Sequence, residues 1–271
     1  MAKAKASVII RFTNKSNQRV NNLMTLIRYI SKNRNVEIIV SAMEENVQYP
    51  KSISKLQLKN PKRAKLIHHF TNKKFASTVA NNTGASLANT NILIFQDADI
   101  LFHNSNYNRI IKQIEKGMKA IRVGEKCLNL SIENTKKIHI EAESNKSQAI
   151  LNYFDRIQKS GKGCRDAPGA CTAINRKTFI NIGGWSERFL VYGWEDCYFR
   201  YKIKKLGKNK YKSLQAPMVH LAHEINYQSK HQADNANLYS QIISANSEKY
   251  TAILKRDRTE LLKKYPKINK K

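Results

Sequence analysis

Four short strand-like apolar runs, the second of them almost wholly β-branched and each followed by a helix-like or turn-rich stretch, constrain this chain most. They are Ser7 to Phe12, Val36 to Val40, Lys65 to Phe70 and Ile92 to Phe95. Between the first two, Ser16 or Asn17 can cap a helix whose apolar residues Val20, Leu23, Met24, Ile27 and Ile30 recur at the helical period. Ala76 to Ala88, rich in Ala and Asn, supplies another helical segment before the fourth run. Strands that alternate with helices make an α/β fold with a mostly parallel sheet flanked by helices, similar to a Rossmann sheet. In such sheets ligands bind beyond the carboxyl ends of the strands. The fourth run ends there in two acids one residue apart, Asp97 and Asp99.

The pattern continues with a helix over Ile110 to Met118 and a strand over Lys119 to Val123. Glu125 to Arg165 is polar and reads as a long loop with helical pieces, with Gly161-Lys162-Gly163 as a hinge. Cys171 to Ile174 is a short strand, Arg176 to Ile182 a short helix stopped by Gly183-Gly184, and Trp194 to Leu206 a helix stopped by Gly207. Leu214 to Leu221 returns as a strand, and from about Asn235 the pattern is helical and basic. This divides the chain into a domain over 1–230, with a first half to 100 and a second half over 101–230, and a basic helical C-terminal extension over 231–271.

The net charge of +29 calls for an anionic partner. No acid falls between Glu45 and Asp97, where eight Lys and Arg residues lie. Lys249 to Lys271 holds nine Lys and Arg against Asp257 and Glu260. An anionic membrane surface, met peripherally, fits this bias, since no run of about 18 apolar residues could span a bilayer. A basic nucleic-acid-binding protein is the rival reading from another class. The aromatics do not interleave with the basic clusters as a single-strand face requires, which argues against it. The four cysteines show no CxxC spacing, as expected of free thiols in a reducing cytoplasm. P-loop, GxGxxG, GxSxG and HExxH motifs are all missing from the sequence.

Chemistry concentrates in a few places. Asp97-Ala98-Asp99 at a strand end can hold Mg2+ or Mn2+ against a diphosphate, with Asp99 on the metal and Asp97 on ribose or acting through water. His220 and His223 follow a strand-like run and can add an imidazole ligand, which suits Mn2+ better than Mg2+. The tandem His68-His69 lies inside a strand, where neighbours face opposite ways, and is structural. Glu195 and Asp196 open a helix, where acids are favoured by the dipole and where one carboxylate can serve as a general base. Trp194, and more weakly Trp185, can stack on a sugar ring. Acid pairs beside a Trp suggest transfer of a sugar from a nucleotide to a hydroxyl.

The order Ser7-Val8-Ile9-Ile10, Asn82-Thr83-Gly84, Asp97-Ala98-Asp99, Gly183-Gly184-Trp185-Ser186-Glu187-Arg188-Phe189 and Tyr192-Gly193-Trp194-Glu195-Asp196 resembles the GT-A nucleotide-sugar glycosyltransferases. The nearer likeness is to bacterial family-two enzymes whose second half is similar to the galactosyltransferase C-terminal domain. It covers Ser7 to His223. The resemblance implies an inverting, metal-dependent enzyme that moves a hexose or N-acetylhexosamine from a UDP-sugar to a glycan or lipid-linked glycan, in capsule, surface polysaccharide or lipooligosaccharide synthesis. A GT-A-like nucleotidyltransferase is the enzymatic alternative, which the Trp194-Glu195-Asp196 block opposes. Carried over residue by residue, Asp99 is the metal-binding acid, with His220 or His223 as its imidazole partner. Asp196 is the catalytic base, Glu195 holds the acceptor, and Trp194 is the acceptor-side aromatic. Arg11, Asn14 and Asn82 line the nucleotide pocket. The chain departs from the pattern twice: Ser41-Ala42-Met43 stands where an Asp often follows the second strand, and Arg11 where many members carry Pro.

Overall fold

The computed structural model describes residues 3–13, 16–44, 64–70, 76–124, 126–160, 164–165, 169–191, 193–224 and 231–269. Asn14, the Gly161-Lys162-Gly163 hinge and most of the basic stretch between Glu45 and Lys74 lie outside these. Among the described residues, seven strands form one sheet in the order β10-β6-β9-β4-β1-β2-β3. They are β1 (Ala6–Phe12), β2 (Val36–Glu44), β3 (Ala64–Phe70), β4 (Ile92–Asp97), β6 (Ala120–Val123), β9 (Cys171–Asn175) and β10 (Tyr211–Leu214). All pairings are parallel except those of β9, which runs against both β4 and β6.

β1 and β4 are buried along almost their whole length, which is why they read as unbroken apolar runs rather than alternating ones. One face is covered by α1 (Asn17–Ile30), whose expected apolar stripe of Val20, Leu23, Met24, Ile27 and Ile30 is buried in full. The Ser16 hydroxyl caps that helix by accepting from the Arg19 amide at 3.4 Å. On the other face α2 (Ser77–Leu87) lies so close to β1 that a Cβ on Gly84 would sit 2.4 Å from Ile9 Cγ2. Only glycine permits that approach.

The structure corrects three readings. The polar stretch after Gly124 is not a long loop: it forms β7 (Lys126–Asn129), α4 (Ile132–Glu143), α5 (Gln148–Ser160) and β8 (Cys164–Arg165). Of these, α4 buries just Thr135 and Ile138, while α5 sets Ile150, Phe154 and Ile157 into the core. The expected strand over Leu214 to Leu221 is two strands in two sheets, broken before Pro217. β10 ends at Leu214, and β11 (Pro217–His220) pairs with β5 (Ile100–Phe102) and β7 in a second sheet of order β5-β11-β7-β8. The helix placed over Ile110 to Met118 is α3 (Ser105–Glu115), which starts a turn earlier. The cysteines at 127, 164, 171 and 197 are free thiols. Among the described residues no helix is long and apolar enough to cross a membrane.

Two later helices complete the second half, α6 (Arg176–Asn181) and α7 (Glu195–Lys204), and α8 (Gln232–Ile243) opens the C-terminal extension. After them α9 (Ser247–Lys264) and a 3-10 turn (Pro266–Asn269) return to the sheet. Leu261, Tyr265 and Ile268 join the same core as Ile9, Leu93 and Phe95. Arg176, itself buried, donates to the carbonyls of Ala85, Ala88, Thr90 and Ile268 and so ties the end of α2 to the C-terminal turn. A second buried cation, Lys202, locks α7 in place. Its ammonium donates to the Gly184 carbonyl and lies 3.6 Å from Asp257 Oδ2 on α9. Asp257 also accepts from the Ser186 and Tyr198 hydroxyls.

Burial draws the Lys202 ammonium down to about 8, against the pull of Asp257. A lysine whose folded value lies below its unfolded one binds fewer protons when folded, so its contribution to stability improves as pH rises from about 8 towards 10. Lys202→Met should therefore cost about 3 kcal/mol at pH 7 by leaving Asp257 buried without its cation. The gap between native protein and variant should widen on going to pH 10, as followed by urea unfolding; a gap that narrows would count against a lysine whose value burial has lowered.

Candidate active site

The sheet reverses its direction of winding between β1 and β4, and there Arg11 and Asp97 are direct neighbours in register. This is the crevice where α/β sheets bind ligands. The Arg11 guanidinium donates from Nε to Asp97 Oδ1 at 3.0 Å, and its Nη2 lies 2.9 Å from the same oxygen. It also reaches α7: Nη2 is 3.3 Å from Asp196 Oδ2 and Nη1 is 3.5 Å from Glu195 Oε1. Three carboxylates from two distant segments thus meet on one cation. Burial opposes the charge on Arg11, but Asp196, Asp97 and Glu195 outweigh it and hold its proton more firmly than usual. Burial pushes Asp97 up to about 7 despite Arg11, with Asp99 and Asp196 adding repulsion.

Glu195 and Asp196 are placed differently. Glu195 is 3% exposed; it accepts from the Ser77 hydroxyl at 2.9 Å and from the Gly193 amide at 2.7 Å. Burial and the neighbouring Asp196 raise its pKa, while Arg11 opposes them. Asp196 keeps 27% of its side chain open. Gly169 backs it so closely that a Cβ there would lie 2.5 Å from Asp196 Oδ2. Just before α7, Trp194 caps the helix at φ 67°, a left-handed conformation unusual for a side chain of that size. It is 39% exposed and stacks on Tyr239 of α8 at 5.2 Å.

Two residues beyond Asp97, Asp99 turns to the second sheet. The Asp99 carbonyl accepts from the Leu221 amide at 2.8 Å, and His220 pairs with Ile100 across β11 and β5. This brings His223 Nε2 to 2.9 Å from Asp99 Oδ2 and His220 Nε2 to 3.8 Å from Oδ1. The three ligand atoms lie within 4.8 Å of one another, a set of one oxygen and two nitrogens that suits a divalent ion such as Mn2+. His223 Nδ1 lies 2.7 Å from the Glu224 carbonyl. A proton donated there leaves Nε2 free to ligate. Burial pushes Asp99 up, but the His223 hydrogen bond and the charges of His220, His223 and Arg19 leave it below its ordinary value.

Of the residues singled out in the sequence, Arg11, Asp97, Glu195 and Asp196 form one cluster, and Asp99, His220 and His223 the adjoining triad. Two others lie elsewhere. Asn82 is 1% exposed, and its amide is spent on the Trp185 backbone, donating at 2.8 Å and accepting at 3.0 Å, so it braces the Gly183-Gly184 turn rather than facing a nucleotide. Trp185 is a core residue, stacked on Phe199 at 4.0 Å, and offers no face to an acceptor. Sequence reasoning missed Ser77, Gly169, Tyr239 and Arg19, whose Nη2 is 3.1 Å from His223 Nδ1. Only Gly169, in its small-residue turn, carried a local signal.

Asp99→Ala should weaken Mn2+ binding at least about a hundredfold by calorimetry, with the circular dichroism spectrum unchanged. Protons compete with the metal for His223, whose pKa the Asp99 hydrogen bond raises. Native affinity should therefore fall as pH drops through that value, by about tenfold per unit below it. Equal affinity in variant and native protein would dismiss the triad.

A sequence model of the family described as "Glycosyltransferase like family 2" matches residues 7–257. A search of the curated proteins finds no match. Among solved structures, the fold is similar to a crystal structure of GalNAc-T7 with UDP, GalNAc and Mn2+, with a TM-score of 0.62 and 17% identity. The likeness covers 88% of this chain and 48% of that one, so the chain spans about half the length of that protein. The sheet with its flanking helices is a GT-A glycosyltransferase fold. Matched over nearly its whole length, the chain belongs to the glycosyltransferase-like family 2.

Proposed function

We propose that this glycosyltransferase is inverting and metal-dependent, and moves a hexose or N-acetylhexosamine from a UDP-sugar to a hydroxyl of a glycan. The observation that carries this reading is the unlike placement of two adjacent carboxylates beside a metal-ready triad. Glu195 is locked by Ser77 and Gly193, whereas Asp196 is open. An open carboxylate beside a fixed guanidinium is placed to accept a proton. Asp196 takes the proton of the acceptor hydroxyl while that oxygen forms its bond to the anomeric carbon. The bond from that carbon to the diphosphate oxygen breaks from the opposite face. Asp99, His220 and His223 would hold a divalent cation, whose charge would offset that of the departing diphosphate. Trp194, backed by its stacking on Tyr239, offers its open side to the acceptor ring, and Glu195 fixes the start of α7 on which Asp196 stands. UDP and Mn2+ in the structurally similar GalNAc-T7 support the choice of donor and metal.

We place the acceptor in a surface polysaccharide or lipooligosaccharide, with the protein at an anionic membrane surface. The charge of +29 supports this placement.

Asp196→Asn should lower transfer about a thousandfold, within the range expected for loss of a general base, while leaving the UDP dissociation constant within about threefold. Calorimetry with UDP and Mn2+ beside a transfer assay separates the two effects. Loss of UDP binding in a folded variant would overturn the base assignment, and absence of UDP binding to the native protein with and without Mn2+ would overturn the donor.

A further inference from the structure

The stretch from Cys197 to His223 carries Arg200 and six lysines and not one acid. The fold gathers most of those lysines at one corner. α7 descends from the catalytic edge and ends in Lys204, and Lys208 and Lys210 lead into the edge strand β10, which carries Lys212. The Lys210 carbonyl accepts from the Lys119 and Ala120 amides, which sets the end of α3, with Lys116, beside it. The Lys119 carbonyl accepts from the Asn175 amide, which adds Lys177 at the start of α6. Lys116, Lys177, Lys204, Lys208, Lys210 and Lys212 are all exposed. Glu115, the acid next to this corner in the chain, is paired with Lys5 at 3.6 Å.

We propose that this lysine corner is the surface on which the protein sits against an anionic lipid bilayer. The proposal deepens the membrane placement given above and rests on it. Lysines along an edge strand also block edge-to-edge pairing. That role covers Lys212 but not the five on helix ends and turns. The chemistry fits phosphate headgroups spread over a surface better than a nucleic acid strand. All six cations are lysines, point charges without the fork that reads bases. Among the described residues the one exposed tryptophan, Trp194, stands at the opposite end of α7, and the one aromatic within the lysine run, Tyr211, packs against the core, so no open ring flanks these lysines for bases to stack on. The basic C-terminal helix is a poorer candidate: α9 packs one side into the core, carries Glu248 and Glu260, and spends Lys264 on Glu187.

The corner lies at the amino ends of β6 and β10, and the catalytic residues at the carboxyl ends of β1 and β4. Seven strand residues at about 3.3 Å each put roughly 20 Å between the two edges. An enzyme docked this way reaches hydroxyls held away from the bilayer, so it extends a glycan already begun rather than placing the first sugar on a lipid.

Flotation of the full chain with vesicles at about 0.1 M salt tests this, using phosphatidylcholine alone and phosphatidylcholine with about one third phosphatidylglycerol. The variant is Lys204→Gln, Lys208→Gln, Lys210→Gln and Lys212→Gln combined; the control is Lys255→Gln with Lys263→Gln on α9. Native protein should bind the anionic vesicles only. The corner variant should lose about fivefold per lysine, several hundredfold in all, with UDP binding unchanged, and the control should stay within about twofold of native. The proposal is overturned if the corner variant floats like native, if the control loses as much, or if single-stranded RNA binds the native protein more tightly than vesicles at the same salt. Vesicle binding without UDP binding would spare the docking surface and sink the donor reading instead.

Discussion

Arg11 is the interaction on which the catalytic edge depends. It carries a charge into the end of β1 and spends it on Asp97, Glu195 and Asp196. Without a cation, three carboxylates at a half-buried strand end would repel one another and their pKa values would climb. The start of α7 would then lose its charge contact with the ends of β1 and β4, and be held there by Ser77 and the packing of Phe199 on Phe95 alone. Arg11 thus does for the acids what a hydrophobic contact does for two helices: it makes their meeting favourable. Its guanidinium is thereby engaged on three sides by carboxylates.

That assembly lets two neighbouring acids differ. Glu195 and Asp196 share a helix end, yet one is enclosed by Ser77 and Gly193 and the other faces out beside Gly169. A helix start turns successive side chains by about 100°, so one can be pinned while its neighbour stays open. Lys202, two turns further along, holds the same helix to Gly184 and Asp257. The position of the proposed base is therefore set from both ends of α7.

Much of this was legible in the sequence, for identifiable reasons. β1, β2 and β4 are buried on both faces and read as apolar runs; α1 has one covered face and keeps its period. Asp97 and Asp99 announce themselves by standing at a strand end. The rest depended on partners far along the chain. α4 and α5 lie on the surface, so their polarity hid them, although Ile150, Phe154 and Ile157 on α5 keep a helical period. The break between β10 and β11 falls before Pro217, which was a local signal. Trp185 and Trp194 both follow glycine, and nothing local says that the first enters the core while the second remains in the open. Ser77 and Arg19 become site residues only through contacts that the fold creates.

The left-handed backbone before α7 has a consequence of its own. Val191 at φ 60° and Trp194 at φ 67° occupy a conformation that costs side-chain-bearing residues about 1–2 kcal/mol each. Glycine at either position would relax the chain, so selection for a hardier protein and selection for a placed aromatic ring pull in opposite directions there. A lineage drifting towards higher thermal tolerance would be tempted to give up Trp194 first, and with it the exposed ring that stands over the helix start. Persistence of a strained tryptophan is what activity, rather than durability, would leave behind.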